Sequence, residues 1–140
     1  MELAGKTTEY GGHDMNGYLI STSDRPGTGA RIFEAAAARG VNIAPAYGLA
    51  DGMTGMILVC SDDEAGLQAA IADTGFTATA IEMVVTDVEN RPGTGAALFR
   101  KLADAGVDLR IAVPIGMTGD SLQLGLGATD TALLKRALGV

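Results

Sequence analysis

The sequence predicts an α+β chain made of two consecutive β-α-β-β-α-β units. Three observations predict it: an internal repeat, short β-prone runs alternating with alanine-rich helical ones, and prolines and glycines where the two should change over. The repeat carries the most weight. Asp24-Arg25-Pro26-Gly27-Thr28-Gly29-Ala30-Arg31-Ile32-Phe33 returns 66 residues later as Asn90-Arg91-Pro92-Gly93-Thr94-Gly95-Ala96-Ala97-Leu98-Phe99, with seven of ten positions identical. Gly40-Val41-Asn42-Ile43 returns at the same offset as Gly106-Val107-Asp108-Leu109, and Met53-Thr54-Gly55 as Met117-Thr118-Gly119 at an offset of 64. Ordered matches of this kind mark a duplication.

Taken in order, Gly17–Ser23 is a short β-prone run. Pro26 then stands where a helix begins, with Asp24 placed to cap it. Ala30, Phe33 and Ala37 recur at helical spacing, and Gly40 is a stop. Val41–Leu49 reads as a strand, Asp51-Gly52 as a hairpin turn and Gly55–Cys60 as the returning strand. A second helix is expected over Asp62–Ala72, with Asp62 or Asp63 at its cap and Leu67, Ala70 and Ile71 on one face; a weak strand, Phe76–Ala80, follows. The second unit repeats the order: strand Met83–Glu89, helix Pro92–Ala105, strands Val107–Ile115 and Asp120–Gly127, helix Thr129–Leu138. The alternation of Leu122, Leu124 and Leu126 predicts one more polar or exposed face on that last strand. Met53, Met56 and Met117 read as core or hairpin filler. The plan is ferredoxin-like: an antiparallel sheet with two helices on one face. Runs such as Ala35-Ala36-Ala37-Ala38 leave each half a thin core. The halves are therefore expected to pack as a pseudo-twofold pair.

Composition narrows the function. The chain has 140 residues, enough for one ordinary domain or two very small ones. Its 10 basic and 17 acidic residues give a net charge of −7, which argues against a basic face for nucleic acid or for anionic membranes. No apolar run approaches the roughly 20 residues of a membrane span, and Met1–Asn16 lacks the apolar core of a signal peptide. A cytoplasmic protein is the expectation. The single cysteine, Cys60, ends an apolar run and reads as a buried free thiol; the one histidine, His13, is far from it in sequence. No carboxylate pair, Ser/His/Asp set or metal-ligand cluster is apparent, so neither an enzyme nor a cofactor is expected. Thr28-Gly29 and Thr94-Gly95 are not followed by the Lys-Ser/Thr of a phosphate loop.

The units, strand–(Asp/Asn)-Arg-Pro-Gly–helix–Gly-Val-(Asn/Asp)-(Ile/Leu), resemble the ACT domain family twice over, across residues 17–140. Asp24-Arg25-Pro26-Gly27 and Asn90-Arg91-Pro92-Gly93 match its turn between the first strand and helix. Arg39-Gly40-Val41-Asn42-Ile43 and Ala105-Gly106-Val107-Asp108-Leu109 match its approach to the second strand. The resemblance implies small regulatory modules, mostly on metabolic enzymes, that pair and bind an amino acid or similar small ligand between them. In the ACT domain of phosphoglycerate dehydrogenase, the residue before Arg-Pro-Gly and the Asn opening the second strand contact ligand. The matching positions here are Asp24 and Asn42, and Asn90 and Asp108. A ligand-contacting histidine of that domain is replaced by Thr22 and Val88.

Physical chemistry supports such a site. The turn aims backbone N–H groups at a helix N-terminus, which favours a carboxylate. Glycine there permits close approach, Asp24 would take an ammonium, and the Asn42 amide would bridge both groups. The expected ligand residues are Asp24, Arg25, Pro26, Gly27, Thr28, Asn42 and Ile43, with Asn90, Arg91, Pro92, Gly93, Thr94, Asp108 and Leu109 in the second unit. The Asp/Asn exchange between the halves makes the two sites non-equivalent. The expected organisation is a first module over 17–81, a second over 82–140, and an N-terminal segment, 1–16, that either supplies the second module's fourth strand, an arrangement similar to that of aspartokinase, or is a disordered tail. The expected protein is a stand-alone homodimeric sensor of an amino acid that signals to a metabolic enzyme or regulator. The alternative is a ligand-free interaction module.

Overall fold

The computed structural model describes residues 14–23 and 25–140. Asp24 and most of the N-terminal segment, including its expected fourth strand, lie outside the described residues. The elements are β1 (Met15–Ser23), α1 (Thr28–Ala38), β2 (Ala46–Ala50), β3 (Thr54–Val59), α2 (Glu64–Thr74), β4 (Ala78–Glu89), α3 (Thr94–Asp104), β5 (Leu109–Thr118), β6 (Ser121–Ala128) and α4 (Thr131–Leu138). The chain divides into two compact units. One is Asn16–Ile81; the other is Glu82–Val140 together with Asp14 and Met15.

In the first unit the strand order is β2-β3-β1, with β4 beside β1. The hairpin β2–β3 and the pair β1–β3 are antiparallel, in register at Ala46↔Val59 and Tyr18↔Val59. Residues directly opposite one another share a face, so Tyr18, Ile20, Ile57 and Val59 point one way. There they meet Ile32, Ala36, Leu67, Ala70 and Ile71 of α1 and α2 in one core. In the second unit the order is β4-β6-β5, antiparallel throughout. Its core joins Val84, Leu124 and Leu126 to Leu102 and Leu134 of α3 and α4.

Several expectations are corrected. The two strands expected over Phe76–Ala80 and Met83–Glu89 are one 12-residue strand, β4. Nothing between Ala80 and Met83 breaks extended backbone: Ile81 is β-prone and buried, and Glu82 is exposed beside it. Helix α1 turns Ile32 and Ala36 inward, whereas Phe33 is 46% exposed and Ala37 is exposed. An alanine-rich helix offers several stripes of equal spacing, and the branched Ile32 decides among them.

The helices after the Arg-Pro-Gly turns begin at Thr28 and Thr94, not at Pro26 and Pro92. Gly27 and Gly93 occupy the N-cap at φ 93° and 92°, a left-handed conformation that glycine adopts without steric cost. β2 starts at Ala46, later than Val41. β6 is buried from Gln123 to Ala128 on both faces, so the expected polar face is not found. Met53 and Leu49 are each 81% exposed, and Met56 and Met117 are about half exposed, so the methionines do not fill the core.

The Met-Thr-Gly match is not a structural equivalence. Met53 lies in the β2–β3 turn, with Thr54 and Gly55 opening β3, whereas Met117 and Thr118 close β5. The register of β5 on β6 shifts twice, between Leu109 and Ile111 and between Pro114 and Gly116. The inserted backbone moves the true spacing of the repeats beyond this point to 67. Asp63 and Asp130 are both N-caps, accepting from Gly66 N and Leu133 N. Leu67 and Leu134 one turn later are both fully buried.

Candidate functional site

Both Arg-Pro-Gly turns end a strand and open a helix, and both are braced by their threonine. The Thr28 hydroxyl donates to Arg25 O at 3.3 Å. The Thr94 hydroxyl donates to Glu89 O at 2.5 Å and to Arg91 O at 3.0 Å. With glycine at the N-cap, α1 and α3 bring no capping side chain, in contrast to Asp63 on α2 and Asp130 on α4.

The first turn borders a cavity of about 290 Å³. Thr22, Ser23 and Arg25 line it from the end of β1; Thr28 and Gly29 from the start of α1; Gly48 to Ala50 from β2; and Gly55 to Ile57 from β3. The pairing Gly48↔Ile57 puts both on the helix-facing side, because Ile57 packs against the core there. Leu49 and Met56 are paired with each other on the opposite side, so they line the cavity with backbone. Its floor is therefore Gly48, Ala50 and Gly55, and its polar groups are the hydroxyls of Thr22 and Thr28 with the exposed Arg25 guanidinium. Below the hairpin end, Asp51 is used up in its own turn. It accepts from Met53 N at 2.9 Å and Thr54 N at 2.8 Å, bonds that hold its carboxyl below the usual range.

The second turn borders a wider hollow of about 690 Å³ with another character: Glu89, Asn90, Arg91, Thr118, Asp120 and Ser121 line it. Glu89 pairs with Arg91, and Asn90 N donates to Asp120 O at 2.5 Å, which ties the turn to the β5–β6 hairpin.

The remaining expected residues sit elsewhere. Asn42 is exposed beyond the far end of β2, where its carbonyl accepts from the Ser61 hydroxyl at 2.6 Å. The turn lies at the Ser23 end of β1 and Asn42 near the Tyr18 end, so about 17 Å of strand at ~3.4 Å per residue separates them. Asp108 mirrors Asn42: its carboxylate accepts from the Thr129 hydroxyl at 3.1 Å. Ile43 and Leu109 pack against the two cores. Within one unit, then, the turn residues and the Asn42 or Asp108 position are not brought together. The sequence reading set Thr22 at the place of a ligand-contacting histidine without counting it among the ligand residues, and it missed Ser23, Gly29, Gly48 and Gly55 as lining groups. The signal available for the glycines was their presence inside a helix and two strands, where glycine is unfavourable.

The chain's fold can be compared with solved structures. It matches protein BT0572 of Bacteroides thetaiotaomicron at 15% identity and a TM-score of 0.77, over 91% of this chain and 88% of that one. It also matches the regulatory subunit of aspartate kinase from Thermus flavus, at 20% identity and a TM-score of 0.61 over 91% and 92% of the chains. The corresponding subunit from Thermus thermophilus, in ligand-free form, gives 17% and 0.58 over 91% of each. The fold is that of the aspartate kinase regulatory subunit. The ferredoxin-like reading and the resemblance to paired ACT modules are met at this level, and both Arg-Pro-Gly turns take the strand-to-helix position expected of ACT-type modules. No family model and no curated protein matches the sequence.

Cys60 is fully buried, and burial first, then Glu64, pushes its thiol up to about 11; such a thiol is a poor nucleophile. Among the described residues, no group of three or more His, Cys, Asp or Glu is placed to hold a metal ion. No helix among them is long and apolar enough to cross a membrane.

Proposed function

We propose that the chain is a non-enzymatic, cytoplasmic regulatory protein whose ACT-type modules bind a free amino acid or a closely similar small ligand and pass the signal to a partner through a change of assembly. The observation that carries this reading is a cavity bordered by the Arg-Pro-Gly turn, on a fold shared with regulatory subunits over 91% of the chain. Candidate ligand groups stand at both turns, Arg25, Thr28 and the Gly27 backbone at the first and Asn90, Arg91, Gly93 and Thr94 at the second, and the two turns are not equivalent. Because Asn42 and Asp108 stand at the far ends of their own units, a site using them as well draws its two halves from different modules or from two chains. A homodimer of the chain, with modules 17–81 and 82–140, supplies that arrangement.

A thermal-shift screen over the twenty amino acids tests the reading. A ligand at 100 times its Kd adds about 2.7 kcal/mol of stability. One amino acid should raise Tm while its near relatives do not; a flat response across all twenty sinks the proposal.

A second reading, a ligand-free interaction module, is favoured by one observation: Leu49 and Met53, both 81% exposed, at the β2–β3 hairpin. Under it, Leu49→Ser with Met53→Ser changes the oligomeric state measured by light scattering, and no amino acid changes Tm.

A further inference from the structure

The cavity beside the first turn owes its space to glycines that the fold does not need. Gly27, Gly52 and Gly75 have positive φ and are required by their backbone, but Gly29, Gly48 and Gly55 do not. A Cβ built at Gly48 or Gly29 meets no atom of the described residues within 4 Å, and at Gly55 only ordinary contacts, the nearest at 3.8 Å. Glycine inside a strand or helix weakens it. At these positions a larger residue would fit the fold and would take up space at the lining of the cavity.

The second unit behaves differently. There the partner of Leu124, which corresponds to Ile57, is Pro114, and Leu122 stands in the place of Gly55, packed against the core. The same helix-facing ledge is thus filled by Pro114 and Leu122.

Resting on the reading of the chain as an amino-acid sensor, we infer that the glycine-floored cavity of the first unit is the ligand seat, that the second unit has lost its counterpart, and that the ligand is a single small carboxylate-bearing molecule. The volume of about 290 Å³ lies just below the roughly 300–1,000 Å³ typical of drug-sized small-molecule sites. It suits a free amino acid. Arg25 offers a planar fork to a carboxylate, the Thr22 and Thr28 hydroxyls accept from an ammonium, and the glycines let the ligand lie against backbone.

Two variants test this with each of the twenty free amino acids as probe. Gly48→Val places a strand-forming residue in β2, and Gly29→Ala places a helix-forming one in α1. Each should fold with an unchanged or higher Tm, and each should lose the rise in Tm that the effective amino acid gives the unaltered protein. If the variants respond as the unaltered protein does, the seat is elsewhere, while the amino-acid reading stands. If no amino acid acts on the unaltered protein, that reading falls and this inference with it.

Discussion

The two units share a backbone and differ in what they place on it. In the first, Tyr18 sits at the centre of a hydrogen-bonded set. Its hydroxyl donates to Glu64 at 3.1 Å and accepts from Gln68 at 2.6 Å, and Asn16 also donates to Glu64 at 2.9 Å. The corresponding positions in the second unit are Val84, Thr131, Lys135 and Glu82. There the set is ionic: Lys135 pairs with Asp14 at 2.6 Å and with Glu82 at 3.1 Å. Those carboxylates, Asp14 first, hold the Lys135 ammonium above its ordinary value. Beneath both sets lie the same aspartate cap and the same fully buried leucine. The features that form the fold are duplicated; the polar chemistry and the glycine floor are not. A duplicated scaffold can hold its core and caps while one copy of a site is closed by side chains.

If the shared features carry the fold, their removal should cost alike in both units. Leu67→Ala and Leu134→Ala should each destabilise by about 2–5 kcal/mol in chemical denaturation, the usual cost of emptying a fully buried leucine position. A clear inequality would show that one unit depends on the other for its core.

The next effect is confined to the first unit, because glycine (Gly127) stands where the first has Cys60. The folded Cys60 thiol is raised to about 11 from an ordinary value of 9.0. The folded state therefore keeps its proton while the unfolded chain releases it. Stability from this residue is fully present below pH 9 and declines as pH rises from 9 to 11. Cys60→Ala should flatten that part of the pH profile, whereas an unchanged slope would mean that the thiol is not shielded. Tyr18, raised chiefly by burial, adds a further decline above pH 10.

Smaller still are the caps. Asp63→Ala and Asp130→Ala should each cost about 1 kcal/mol, measured as equal shifts of the denaturation midpoint. Tyr18→Phe should cost about 1 kcal/mol, the net worth of a hydrogen bond, and should be insensitive to salt. Lys135→Met acts on exposed charges, so its effect should be small and should vanish as salt screens the ion pairs; a salt-independent loss would contradict the ionic description.

These contrasts also show what was legible in the sequence. The duplication, the element order, the Asp63 cap and the buried face of Leu67, Ala70 and Ile71 all follow from local chemistry that the structure keeps. The continuity of β4 was hidden because weak strand propensity around Ile81 and Glu82 resembles a join between two strands. The inward face of α1 was hidden because alanines mark no single stripe. The Met-Thr-Gly match misled because the register shifts in β5 alter the spacing without leaving a motif. The Arg-Pro-Gly turn was visible as a candidate site. Its separation from Asn42 was not, since only the antiparallel register of β1, β2 and β3 sets them at opposite ends. Gly48 and Gly55 pass for ordinary strand irregularities until the pairing places them on one floor beside Thr22 and Thr28.

The central claim is that one unit binds and the other does not. Glycine amide resonances, followed by nuclear magnetic resonance while the effective amino acid is titrated in, test it most directly. The account predicts that Gly29, Gly48 and Gly55 shift in a saturable way with one ligand per chain, while Gly93 and Gly95 stay in place. Equal shifts at Gly29 and Gly95, or saturation at two ligands per chain, would contradict it.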